Sequence, residues 1–170
     1  MIQKCSNIKV LGVFFEEPTQ LHFIREISNK INLAPTSVIK YIREFEKEGL
    51  IIKKEANPFD GYIANRDNED FMFYKRAYNL ISLNELRKNV LREISPKLLV
   101  IFGSYSLGED IEESDIDVLI ITKGRKSFDF ERFEKSLKRQ INPIVLDDID
   151  KIDRNLKSQI YNGFVLFGSF

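Results

Sequence analysis

Residues 101–120 read IFGSYSLGEDIEESDIDVLI, and this stretch decides the C-terminal half of the chain. Asp115 and Asp117 stand two residues apart at the start of an apolar run. A strand has a side-chain period of two, so both carboxylates leave one face while Ile116 and Val118 point into a core. Two carboxylates on one face, with no basic residue beside them in sequence, repel each other unless a cation lies between them. Mg²⁺ takes oxygen ligands, commonly one or two carboxylates plus substrate phosphates. Upstream, Gly103-Ser104 closes the apolar run 98–102. A glycine there lets backbone approach a ligand, the following turn can offer N–H groups to phosphate, and Ser104 adds a hydroxyl. A phosphate cradle on one strand end and an Asp pair on the next make the pattern of a Mg²⁺–nucleoside triphosphate site. Its chemistry would be attack on the α-phosphorus.

Working outward, 98–102 is continuous and apolar, as a buried strand is. Residues 103–114 read as a turn-rich acidic loop with room for one helical turn. Strands are expected at 116–122 and 141–146, a helix at 128–139 with Phe130, Phe133 and Leu137 on its core face, and a helix near 150–160 before the apolar tail 164–167. This is an α/β unit with a mixed sheet and helices on one side. Residues 67–95 have helical spacing, with stripes at Phe73, Ala77 and Leu80 and at Leu83, Leu86, Val90 and Ile94. Pro96 ends them.

The N-terminal half has a different rhythm. Residues 8–15 are apolar and suit a first short helix. Thr19 is a candidate N-cap for a helix at 20–31, with Leu21, Ile24, Ile27 and Ile31 on its apolar stripe. A short connection leads to a second helix from Pro35 to Glu48, which buries Val38, Ile42 and Phe45 and is closed by Gly49. Two amphipathic helices with a short turn between them form a helix-turn-helix pattern. Strand-like 50–54 and 62–64, separated by the turn residues Asn57-Pro58-Phe59-Asp60-Gly61, then make a hairpin wing. The expected fold is α+β in two domains: a winged helix-turn-helix at 1–66, a helical connector at 67–96 and the α/β unit at 97–170.

Composition limits what such a chain can do. Its 170 residues carry 26 Lys+Arg against 26 Asp+Glu, with 43% hydrophobic residues. The formal net charge is zero, which excludes bulk electrostatic attachment to nucleic acid. The balance hides an asymmetry: residues 1–97 sum to +3 and residues 98–170 to −3. Within 30–54, six basic side chains meet three acidic ones, a local excess that suits contact with phosphate. One Cys and one His are too few for an ordinary zinc site. His22 is read as structural or simply exposed and Cys5 as a small apolar filler. MIQKCSNIKV has no signal-peptide layout and no apolar run approaches the roughly 18 residues of a membrane span. The expectation is a cytoplasmic protein with no membrane partner.

Residues 98–146 resemble the minimal nucleotidyltransferases of the DNA polymerase β superfamily. The resemblance is carried by Gly103, Ser104, Gly108, Ser114, Asp115 and Asp117. It implies that Gly103, Ser104 and Ser114 contact the nucleotide, and that Asp115 and Asp117 bind Mg²⁺ and carry catalysis. It also implies an NTP, with ATP the first candidate, and transfer of NMP to a macromolecular acceptor with release of pyrophosphate. The sequence departs from the family twice. Leu107 stands where many members have a basic residue. Asn142 aligns with the family's third carboxylate, and an amide cannot take the acceptor's proton at neutral pH. The run APTSVIKYIREFEKEGLI resembles winged helix-turn-helix proteins, which puts Thr36, Ser37, Lys40, Arg43, Lys53 and Lys54 at DNA-facing positions. The whole arrangement resembles archaeal fusions of a winged helix with a nucleotidyltransferase domain. The resemblance leaves two functions open: an NMP-transferring enzyme, or a DNA-binding transcriptional regulator whose degenerate nucleotidyltransferase domain senses nucleotide. It also raises two protein partners, a small helical protein of the toxin–antitoxin kind and a second copy in a homodimer.

Overall fold

The computed structural model describes residues 5–124 and 127–170; the first four residues of MIQKCSNIKV lie outside them. The chain divides into two compact units, Met1–Lys75 and Arg76–Phe170. The division falls inside the segment expected as a connector.

In the N-terminal unit, helix α1 (Ser6–Glu16), α2 (Ile24–Ile31) and α3 (Pro35–Lys47) precede the antiparallel strands β1 (Ile51–Lys54) and β2 (Gly61–Ala64). Val10, Phe14, Ile27, Val38, Ile42 and Leu50 are all nearly inaccessible to solvent and form the core. Pro35 sits in the first turn of α3, where its missing N–H costs nothing. Gly49, at φ +74°, follows its C-terminal end.

The first turn expected for α2 is absent, and Thr19 is not its N-cap. Residues before Ile24 are held by the wing instead: the His22 N–H donates to the Tyr62 carbonyl at 2.8 Å, and the Tyr62 N–H donates back at 2.8 Å. Phe23 takes the N-cap position, and its N–H donates to the Glu26 carboxylate at 3.3 Å. His22 is buried, with Nδ1 3.1 Å from Glu26 Oε1 and Nε2 3.0 Å from the Glu17 carbonyl. The ring therefore ties the end of α1 to the start of α2, which is the structural one of its two expected readings; it is not exposed.

The helix α4 (Glu69–Ser82) runs across the division between units. The C-terminal unit continues with α5 (Asn84–Glu93), β3 (Leu98–Phe102), α6 (Gly103–Leu107), β4 (Ile116–Ile121), α7 (Glu131–Leu137), β5 (Ile141–Leu146), α8 (Arg154–Tyr161) and β6 (Phe164–Phe167). The sheet order is β5-β4-β3-β6. The β4–β5 pair is parallel, and β3 is antiparallel to both β4 and β6, so the sheet is mixed as expected.

Helices on one side only does not hold. Leu99, Ile101, Ile116, Val118 and Ile120 pack with Leu86 and Val90 of α5 and Phe133 of α7 on one face. Leu98, Val100, Phe102, Leu119 and Ile121 pack with Ile160 of α8 on the other. The reason is visible in the strands. β3 and the last four residues of β4 are buried on both faces, and a two-sided apolar strand needs a cover on each side. The helix expected at 128–139 is shorter than its apolar pattern, because Phe128 and Phe130 pack as loop residues, with ring centroids 4.8 Å apart. Among the described residues, no helix is long and apolar enough to cross a membrane.

Candidate functional site

The strand β3 delivers the chain to Gly103, which opens α6 at φ +72°. That left-handed conformation suits glycine, and space demands it as well. A Cβ at Gly103 would lie 2.5 Å from Asp117 Oδ2. Phe102 pairs with Asp117 across the β3–β4 ladder, so the missing side chain and the carboxylate are packed against each other by the sheet itself.

Asp115 immediately precedes β4 and Asp117 is its second residue. Both are half-buried. Asn142 is the residue opposite Asp117 in the parallel β4–β5 ladder, and its Nδ2 donates to Asp115 Oδ2 at 2.9 Å. Asn142 shares its strand face with Ile144 and Leu146, which pack on the same side of the sheet as Leu119 and Ile121. The three polar side chains therefore cluster at one sheet end. Burial pushes the Asp117 carboxyl above the usual carboxylate range; the nearby Asn142 amide opposes that, and the charge of Asp115 adds to it. Two carboxylates and an amide carbonyl form an oxygen donor set of the kind a hard divalent cation takes.

Ser104 sits in the first turn of α6, and Gly108 at φ +75° ends the helix. The Ser114 hydroxyl accepts the Ile111 N–H at 2.9 Å, while the Ser114 N–H donates to the Ile111 carbonyl at 3.1 Å. Ser114 thus closes the loop that leads into Asp115. It also borders an open groove of about 530 Å³, which Asp115, Lys135, Lys138 and Gln140 share. Leu107 is half-buried and brings no charge to α6.

In the N-terminal unit, Thr36, Lys40 and Arg43 are exposed on α3 and Ser37 is half-exposed. Steps of three and four residues put Thr36, Lys40, Arg43 and Lys47 in one row, opposite the buried Val38, Ile42 and Phe45. Lys47 was not among the residues expected at a DNA-facing surface, although the same periodicity reaches it. The two wing lysines differ from each other. Lys54 is exposed, whereas Lys53 pairs with Asp60 across the hairpin at 2.6 Å. The hydrogen bond and the charge of Asp60 hold the Lys53 ammonium above its ordinary range.

A nucleotidyltransferase domain matches residues 83–168, and a winged helix-turn-helix DNA-binding domain matches residues 24–52. The first match spans half the chain, and the protein belongs to the nucleotidyltransferase-domain family. Solved structures overlap it in part. A toxin–antitoxin crystallised with AMP-PNP is 26% identical, covers 51% of this chain and 75% of its own, and superposes with a TM-score of 0.38. A Sulfolobus solfataricus protein described as a nucleotidyltransferase is 23% identical over 53% of this chain and 84% of its own, with a TM-score of 0.31. No curated protein matches.

Proposed function

We propose that the C-terminal unit binds an Mg²⁺–nucleoside triphosphate, with ATP the first candidate, and transfers its NMP to a macromolecular acceptor. The observation that carries this reading is the packing of Gly103 against Asp117, where a side chain would strike the carboxylate at 2.5 Å. It supports reading the Gly-Ser turn and the Asp pair as parts of one site. Asp115 and Asp117 would hold the cation, with the Asn142 carbonyl as a third oxygen. Gly103 and Ser104 would meet the triphosphate at the start of α6, and Ser114 would fix the loop beside Asp115. When bound, the cation supplies charge neutralisation at the attacked phosphorus and the leaving oxygens.

A second reading is favoured by Asn142 and by the basic row on α3. An amide beside Asp115 accepts no proton from an acceptor hydroxyl. In this reading the nucleotide is bound and not transferred. Thr36, Ser37, Lys40, Arg43 and Lys54 would then contact duplex DNA, and the chain would act as a nucleotide-sensing regulator. A cytoplasmic location suits either reading. So does a second protein, whether a small helical partner or another copy of this chain.

Calorimetry with each NTP and Mg²⁺, comparing wild type with Asp117→Asn, tests the shared part. Binding by the wild type that falls at least about tenfold in the variant is the expected result. No binding of any NTP refutes both readings. Incubation with α-labelled NTP then separates them, since only the transferring protein leaves label on an acceptor.

A further inference from the structure

The helix α6 has only five residues, too few to be stable by itself. A helix this short leaves its carbonyls in need of partners from elsewhere, and those of residues 103–106 each have one. The Gly103 carbonyl accepts the Ser106 hydroxyl at 2.8 Å, and the Ser104 carbonyl accepts the Glu109 N–H at 3.0 Å. The other two are bound by α4. Asn79 Nδ2 donates to the Tyr105 carbonyl at 2.9 Å, and Arg76 Nε donates to the Ser106 carbonyl at 3.2 Å.

Asn79 is only 3% exposed, and the second proton of its amide goes to Asp110 Oδ1 at 2.8 Å. Asp110 is 1% exposed, and its Oδ2 faces the Arg139 guanidinium at 3.7 Å. Arg139 stands two residues before β5 and three before Asn142. One buried polar network therefore ties the carbonyl end of α6 to the acidic loop and to the start of the strand that carries Asn142. The Arg76 guanidinium also lies over the Phe164 ring, 5.6 Å from its centroid, which fixes the arginine from its far side.

We propose that Asn79 and Arg76 are positioning residues for the triphosphate. They hold the carbonyl end of α6 so that its Gly103-Ser104 end keeps its aim beside Asp117. This rests on the Mg²⁺–NTP reading above and assigns to α4 a part in it that the Gly-Ser and Asp-x-Asp motifs do not include. It also accounts for the burial of a polar side chain, Asn79, on α4, where apolar residues are the rule.

The test separates positioning from simple satisfaction of a buried charge. Three full-length variants are compared with wild type: Arg76→Ala, Arg76→Lys, and the exchange Asn79→Asp with Asp110→Asn. The exchange keeps a hydrogen bond between positions 79 and 110 but leaves the Tyr105 carbonyl without a donor. Two affinities are measured: Mn²⁺ alone, by paramagnetic resonance, and Mg²⁺–ATP, by calorimetry. Arg76→Ala and the exchange should each weaken Mg²⁺–ATP binding about tenfold with Mn²⁺ affinity unchanged, and Arg76→Lys should recover most of the loss. Mg²⁺–ATP affinity equal to wild type in Arg76→Ala overturns the inference and leaves the function standing. A parallel fall in Mn²⁺ and Mg²⁺–ATP affinity also overturns it, because the variants would then act through general damage. Should the exchange not fold, Arg76→Ala decides alone, since Arg76 is exposed. A wild type that binds Mn²⁺ but no NTP overturns the Mg²⁺–NTP reading and this inference together.

Discussion

Replacing Asn142 by Asp puts a third carboxylate where the donor to Asp115 now stands. The amide donates to Asp115 Oδ2 at 2.9 Å. Losing that bond costs about 1 kcal/mol. Two unit charges at this separation repel by about 1.4 kcal/mol in a water-like dielectric, the appropriate limit because Asn142 is exposed. Without metal, Asn142→Asp should therefore be less stable than wild type by about 2–3 kcal/mol, which lowers the melting temperature by about 5–10 °C for a chain of this size. Saturating Mg²⁺ should reverse the order of the effect, because a divalent cation turns the repulsion into an extra ligand. The assay is thermal unfolding of both proteins across a Mg²⁺ titration, followed by labelling with α-labelled NTP. The variant should show the larger Mg²⁺-dependent rise, with half-saturation at lower Mg²⁺. If Mg²⁺ raises both proteins equally, Asn142 does not border a cation site and the reasoning fails. Label appearing on an acceptor only in the variant would identify the missing carboxylate as what separates binding from transfer.

The remaining predictions address the other parts of the two sites. Gly103→Ala should cost about 1–3 kcal/mol, because its backbone is left-handed and the new methyl strikes Asp117 Oδ2; it should also abolish Mn²⁺ binding, and full Mn²⁺ affinity would contradict the packing argument. Burial raises the Asp117 carboxyl in the folded protein, so its stability contribution falls as pH rises from the unfolded value through the folded one. Asp117→Asn should accordingly melt higher than wild type at pH 7 without metal, with the gap closing as pH drops below the ordinary carboxylate range; a gap independent of pH would count against it. Lys40→Ala should weaken binding to duplex DNA and reduce the salt slope by about 0.9. Lys53→Ala should change both less, because Asp60 already pairs with that ammonium; equal effects in a salt titration would remove the distinction.

What could be read from the chain was whatever repeats over a short distance. The Asp-x-Asp pair needs only the period of a strand, and α3 needs only that of a helix, so both stood in the sequence with their faces. The α4 segment shows where that reading stops. Its helical period was legible, but its inward face was not. Phe73 and Leu80 looked like core and are 67% and 40% exposed, while Lys75 and Asn79 are 1% and 3% exposed. A polar side chain is buried only where partners satisfy it, and the partners of Asn79 lie 26 and 31 residues away, at Tyr105 and Asp110. The start of α2 fails for the same reason, since residues 20–22 have helical spacing but the Tyr62 backbone captures His22. Asn142 is the intermediate case. Its alignment with a third carboxylate came from resemblance alone, and the β4–β5 register puts it opposite Asp117. Hydrophobic period thus specifies elements one at a time, whereas a site assembled from several elements depends on register and on polar pairing across loops. Those pairings carry the sharpest tests of function here, because each depends on a contact between residues far apart in sequence.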